Sequence, residues 1–373
     1  TKSFWIHMKK LIIVNEVCSD NIGDHAINLG VLKILDEYNF KGISYGFDAE
    51  KKNVGPTIKK SKKESSFIRF LKFIKNKTLK NNRFYKYSLW ILRNYSRVSS
   101  ITKQNKGQAI IIGGGQLIQS GGTFAIAMYT WTLFSKLRNV DIYIIGVGCA
   151  EHFDRIDRFL FKRSLSRAKD ILVREKSSIS KIKDFFDCDV RYIPDLAYAL
   201  FKQDDYNHKK DNLAIIGCTA YYVYMKNINE LGLKDIMTFE QYINAWISII
   251  LDECNEHRVL LLSTTVEDAE FSRIVYNQIS KNYIHLLDRI IIKDEVLPVR
   301  EYIELLKTAK IVRSGRMHSL ILGHISGCKC IPYNINKKIE HFSHEYLDHD
   351  ASNISKSVYN SFGNAFSGDK GSK

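Results

Sequence analysis

A chain of 373 residues with 45% hydrophobic and 12% aromatic content can bury a sizeable core, and at roughly 150 residues per domain it divides most naturally into two. No apolar run approaches the roughly 18 residues of a membrane span, and residues 9–14 are too short for the core of a secretory leader, so a cytosolic or peripheral protein is expected. The net charge of +16 resembles a nucleic-acid signal until it is located: residues 51–106 hold seventeen Lys and Arg against Glu64 alone, leaving 39 basic and 39 acidic residues elsewhere.

The first strand-like run, residues 11–14, leads into Asp20-Asn21-Ile22-Gly23-Asp24-His25 and a helical pattern over 26–38. A glycine turn at a helix start offers backbone amides to an anion. Asp24 reads two ways: as a helix N-cap, or as a carboxylate that positions or deprotonates a sugar hydroxyl. In the basic segment, Phe67, Phe70, Leu71 and Ile74 fall at helical spacing among Arg69, Lys72, Lys75 and Lys77, followed by Phe84, Tyr85, Tyr87, Leu89, Trp90 and Ile91. A basic amphipathic helix with aromatics suits an anionic membrane surface. The other reading is a helix pair covering the sheet with a solvated lysine face. None of the recognised nucleic-acid-binding motifs accompanies the charge, so nucleic acid is not an expected partner.

A strand at 108–112 runs into Gly113-Gly114-Gly115-Gln116-Leu117, read as a turn whose glycines let a ligand approach the backbone; it lacks both the dinucleotide fingerprint and the Walker pattern. Helical patterns cover 124–137, 153–166 and 177–186, with strands at 142–147, 171–173 and 190–193. Gly146-Val147-Gly148 ends one strand. Arg174 ends another, placed for bidentate pairing with phosphate or carboxylate. Asp195, after Pro194, either ion-pairs with Arg174 or takes part in the chemistry.

Residues 202–212 are polar and aperiodic, and the domain boundary is placed there, giving domains 1–205 and 206–373. A second alternating set follows, with strands at 213–217, 259–263, 284–287, 311–312 and 330–333 and helices at 238–256, 268–280, 299–309 and 319–326. The alternation predicts an α/β fold of two doubly wound, Rossmann-like domains facing a cleft. The tail after Ser352 is expected to be partly disordered. Seven scattered cysteines, an odd number, read as reduced thiols, and Cys328-Lys329-Cys330 lacks the spacing of a zinc site.

The segment Arg313-Ser314-Gly315-Arg316-Met317-His318-Ser319 sets two guanidiniums and an imidazole between a short strand and the next helix. Ligands of open α/β sheets bind outside the carboxyl ends of strands. The cluster therefore reads either as a helix start with a core histidine, or as a site that holds an anion and moves a proton.

In order, Asn21-Ile22-Gly23-Asp24, Gly113-Gly114-Gly115, Gly146-Val147-Gly148, Val173-Arg174-Glu175 with Ser177 or Ser178, Asp195, Arg316-Met317-His318-Ser319 and Lys337-Lys338 resemble the polysaccharide pyruvyl transferase family over residues 11–341. The resemblance implies a GT-B-like two-domain fold and transfer of pyruvate from phosphoenolpyruvate onto sugar hydroxyls as a ketal. It implies His318 as acid/base and Arg174 and Arg316 as a phosphate and carboxylate clamp, with Lys337 or Lys338 a further contact. Asp24 would position the sugar or act as a second base, and Asn21, Gly23, Gly114, Gly115, Gln116, Asp195 and Ser319 would line the substrate. No metal and no cofactor beyond the phosphoenolpyruvate donor is called for. The acceptor is expected to be a lipid-linked or nucleotide-linked saccharide precursor of capsule, exopolysaccharide or wall polymer, met at the inner face of the plasma membrane. Asp20, His25 and the uncharged Cys218-Thr219-Ala220-Tyr221-Tyr222 depart from the family pattern. The alternative is a nucleotide-sugar glycosyltransferase of the same architecture.

Overall fold

Strands that are apolar at nearly every position belong to parallel sheets covered on both faces. β1 (Lys10–Asn15), β3 (Ala109–Ile118) and β4 (Asp141–Cys149) are of this kind, buried almost end to end. In the computed structural model, which describes residues 10–50, 83–106, 108–231 and 236–367, they join β2 (Lys41–Gly46), β5 (Asp170–Val173) and β6 (Arg191–Tyr192). The sheet has the order β2-β1-β3-β4-β5-β6 and every pairing is parallel. A second parallel sheet, β11-β10-β7-β8-β9, is made of β7 (Leu213–Gly217), β8 (Arg258–Leu262), β9 (Ile290–Lys293), β10 (Ile311–Ser314) and β11 (Lys329–Pro332). The expected class, two Rossmann-like α/β domains, is the one observed.

Strand order locates the ligand ends. In the first sheet the order reverses between β1 and β3, and in the second between β7 and β10. Such switch points open a crevice at the strands' carboxyl ends. The segments that follow β1 and β10 are those singled out above.

Contacts divide the chain into one unit of Thr1–Cys18, Ile34–Asp195 and Ser361–Lys373, and another of Ser19–Lys33 and Leu196–Asn360. This departs from the division at 205/206 in two exchanged segments and in the boundary, which falls at 195/196. The helix Ile22–Glu37 starts in the second unit because Ile22 N donates to Thr264 O at 3.0 Å, and because Gly30 is so close to Leu196 that a Cβ would lie 2.1 Å from its carbonyl oxygen. The chain's end returns to the first unit, where the Phe366 ring stacks on Tyr143 at 4.3 Å.

Several local expectations are corrected. As far as Ser367 the tail forms the helix Ala351–Ser367, whose Ile354, Val358, Phe362 and Ala365 recur at helical spacing and are buried, while residues 368–373 lie outside the described residues; Ser and Asn between the apolar positions hid the stripe. Residues 284–287 are not a strand: Ile284–Leu286 is a 3₁₀ turn, and the strand is the more β-branched Ile290–Lys293. Gly113, Gly114 and Gly115 lie inside β3 rather than in a turn. Gly114 and Gly115 take φ of +81° and +85° just before the register of β3 against β4 shifts between Gly115 and Ile118, and Gly146, at +71°, sits where β4 shifts register against β5. A Cβ on Gly113 would meet the Ile145 carbonyl oxygen at 1.9 Å, so close strand packing explains that glycine.

Of the basic segment, residues 51–82, including the expected helix through Phe67, Phe70, Leu71 and Ile74, lie outside the described residues. The remainder forms the helix Arg83–Gln104, which buries Tyr87, Trp90, Asn94, Val98 and Ile101 on one face. The Tyr87 hydroxyl and Ser120 Oγ donate to the fully buried Asp157 carboxylate, and Arg83 pairs with Asp154.

Candidate active site

The Asn21-Ile22-Gly23-Asp24 segment forms the first turn of the helix Ile22–Glu37, one turn earlier than its apolar pattern suggested. The capping role falls to Asn21, whose Oδ1 accepts from Gly23 N at 2.9 Å, and not to Asp24. Asp24 is half-buried and accepts from Ser19 Oγ at 2.7 Å, while His25 Nε2 lies 2.7 Å from Ser19 O.

The partner of this turn is distant in sequence. β10 ends at Ser314, Gly315 bends away, and Arg316 caps the helix Met317–Ile325, so His318 sits inside that helix's first turn. The imidazole lies against Gly23: a Cβ there would be 2.1 Å from Nδ1 and 2.6 Å from Cγ. Only a glycine admits the ring at this point. The two most specific motifs therefore meet, with the Asp24 carboxylate one residue along the turn.

Around them the strand ends are tightly tied. Ser314 Oγ donates to Gly217 O at 3.3 Å and accepts from Arg316 N at 3.1 Å, and a Cβ on Gly315 would strike Thr219 Oγ1 at 2.7 Å. Ser319 is buried and shares a 2.8 Å hydroxyl contact with Tyr302, which makes it a packing residue here. Arg316 directs Nε and Nη2 at the Asp268 carboxylate at 2.7 and 2.9 Å. Burial opposes its charge, but the Asp268 hydrogen bonds and charge, with Tyr222 alongside, outweigh burial and hold the guanidinium above its ordinary value. Asp268 was not foreseen. Its only sequence signal is Thr265-Val266-Glu267-Asp268, a helix start directly after a strand.

Arg313 points away from the turn, on β10, with Nη2 3.1 Å from Glu253. Lys337 opens the helix Lys337–Phe342, capped by Asn336, whose Oδ1 accepts from Ile339 N at 2.9 Å; the Lys337 side chain lies outside the described residues, and Lys338 is half-buried. In the first unit, Gly114, Gly115 and Gln116 belong to β3. Arg174 follows β5, its amide bonded to Val147 O at 3.1 Å. Its guanidinium is 3% exposed and pairs with Asp195 at 3.0 Å, with Glu175 Oε1 at 3.5 Å, so the ion-pair reading of Asp195 is the one observed.

Cysteine chemistry does not fit these strand ends. Burial pushes Cys149 and Cys218 each up to about 12, so neither supplies a thiolate near neutral pH.

A family model described as polysaccharide pyruvyl transferase matches residues 21–337, most of the chain and every motif from the Asn21 turn to Lys337. The chain belongs to the polysaccharide pyruvyl transferase family. As a member of it, the protein is a pyruvyl-transferring enzyme of polysaccharide biosynthesis. No curated protein sequence matches it. Among solved structures it is similar to the UDP-GlcNAc 2-epimerase of Methanocaldococcus jannaschii, at TM-score 0.50 and 10% identity over 95% of this chain and 98% of that one. It is also similar to MnaA of S. aureus in a UDP co-structure, at TM-score 0.46 and 11% identity over 94% and 91%. A third is the lipopolysaccharide outer core galactosyltransferase WaaB in its apo form, at TM-score 0.40 and 11% identity over 97% and 99%. At such identities the epimerase likeness concerns the fold alone.

Proposed function

We propose that the enzyme transfers pyruvate from phosphoenolpyruvate to two hydroxyls of a saccharide precursor of a cell-surface polysaccharide. The observation that carries this reading is the seating of His318 on Gly23, beside Arg316 and Asp24. Ketal formation from an enol phosphate and a diol needs one proton delivered to the methylene carbon, which becomes a methyl group. One hydroxyl oxygen adds to the neighbouring carbon, and the second displaces phosphate. The two hydroxyl protons balance the equation, one ending on the methyl group and one on the released phosphate. His318 takes a proton from a hydroxyl and returns it to carbon, Asp24 orients the diol or takes the second proton, and Arg316 holds the donor's phosphate or carboxylate. Lys337 or Lys338 completes the anion contacts, and no cofactor besides the donor is called for.

Thermal unfolding distinguishes this from the nucleotide-sugar alternative. At a hundred times its dissociation constant a ligand adds about 2.7 kcal/mol of stability. Phosphoenolpyruvate is expected to raise Tm and UDP-sugars to leave it unchanged; the reverse would sink the reading. Incubation with phosphoenolpyruvate and lipid-linked saccharides is then expected to release phosphate as the acceptor gains the mass of a pyruvyl ketal.

A lipid-linked acceptor would be met at the inner face of the plasma membrane. Supporting this is the helix Arg83–Gln104, which has five basic residues and no acidic one, and which leaves Phe84 68% and Leu92 79% exposed, two turns apart on one face. That combination favours an anionic lipid surface. Sedimentation with phosphatidylglycerol-containing vesicles is expected to deplete the wild type and to fail with Phe84→Ser/Leu92→Ser. Equal binding of both proteins, or a Leu92-dependent dimer instead, would exclude it.

A further inference from the structure

Asp268 is 1% exposed on its side chain, and it accepts three hydrogen bonds from two other segments, those after β7 and β10. Oδ2 receives Arg316 Nε at 2.7 Å, and Oδ1 receives Arg316 Nη2 at 2.9 Å and Ala220 N at 2.9 Å. Asp268 itself is fixed on the helix Val266–Asn282, where its amide donates to the Thr265 cap at 3.3 Å. The segments after β7, β8 and β10 therefore meet at one carboxylate. The segment after β8 also holds the Asn21 turn, through Thr264 O and Ile22 N at 3.0 Å. Every link lies within the second unit.

We propose that Asp268 is a positioning residue for pyruvyl transfer, fixing the plane of the Arg316 guanidinium so that its remaining N–H edge meets the anionic donor. The inference rests on reading Arg316 as a donor contact. An arginine has several freely rotating bonds, and a side-on fork of 2.7 and 2.9 Å to a helix-borne carboxylate removes most of that freedom before substrate arrives. The charge balance fits a role in orientation rather than attraction. Asp268 cancels the unit charge of Arg316, so the pair draws an anion weakly from afar and acts through aimed hydrogen bonds at contact. Direct contact of Asp268 with the donor is excluded on charge grounds, since carboxylate and phosphate repel.

The experiment is steady-state phosphate release from phosphoenolpyruvate with a saccharide acceptor, in a double-mutant cycle. Asp268→Asn presents an amide where the guanidinium needs two acceptors. It is expected to raise KM for phosphoenolpyruvate by about ten- to a hundredfold while kcat changes by less than about threefold. Asp268→Glu keeps the charge, and its effect is expected to be smaller. In an Arg316→Lys background, where no side-on fork forms, Asp268→Asn is expected to change KM by less than about twofold. An unchanged KM in Asp268→Asn, or an equal increase in the Arg316→Lys background, overturns the proposal while leaving the function standing. Should Asp268→Asn fail to fold, a wild-type KM in Asp268→Ser, which offers the guanidinium no carboxylate, overturns it equally. Absence of phosphoenolpyruvate turnover in the wild type overturns the functional reading itself, and the proposal with it.

Discussion

Replacing His318 with alanine is expected to lower kcat for phosphate release by about 10²- to 10⁴-fold, the usual contribution of a positioned acid/base. The more informative variant is Gly23→Ala, which touches no titratable group. Its methyl would lie 2.1 Å from His318 Nδ1, so either the ring or the Asn21 turn must move by more than an ångström. A displacement of that size costs about a hundredfold in rate when the displaced group is the one moving the proton. Gly30→Ala is the control, because its methyl would meet a backbone carbonyl oxygen of Leu196 at 2.1 Å and act on stability alone. Full activity in Gly23→Ala would show that His318 is not the acid/base.

The Arg174–Asp195 pair governs stability. Both side chains are about nine-tenths or more buried, 3% and 4% exposed. Asp195→Ala removes the 3.0 Å partner of a guanidinium withdrawn from water, for which about 3–5 kcal/mol is the usual penalty. For a domain of this size that lowers Tm by roughly 10 °C, given about 2–4 °C per kcal/mol. An apolar replacement of both, Arg174→Met with Asp195→Leu, is expected to recover much of the loss. Thermal and urea unfolding read both; a loss under about 1 kcal/mol for Asp195→Ala would show that the remaining contacts of Arg174 compensate it.

The strands and most helices were legible in the sequence because their signals are local. Residues 11–14 and 142–147 are apolar throughout, as parallel strands buried on both faces must be. The site was half legible: the Asn21 turn and the Arg316-Met317-His318 segment each announced themselves, one by a glycine at a helix start and one by cations after a strand. Their meeting was not, because His318 and Gly23 are brought together by a long-range arrangement that no local pattern encodes, residues 19–33 belonging to the second unit. Asp268 was invisible for the same reason. An aspartate in the first turn of a helix favours the helix dipole anywhere, and it becomes the partner of Arg316 only because β7 lies between β8 and β10. Arg313 shows the opposite error: sequence neighbourhood grouped it with Arg316, but two residues of strand pleat direct it to Glu253.

The exchange of segments between the two units has a consequence for the order in which the protein is made. The Asn21 turn is made before its partners Thr264 and His318, which follow some 240 to 300 positions later. The first unit waits longer still, for Phe366 to reach Tyr143. Neither unit is therefore complete as a contiguous stretch of message. The nascent chain keeps the surfaces awaiting these late segments uncovered until those segments are made, which makes a product cut before them a candidate for aggregation rather than for a working half-enzyme.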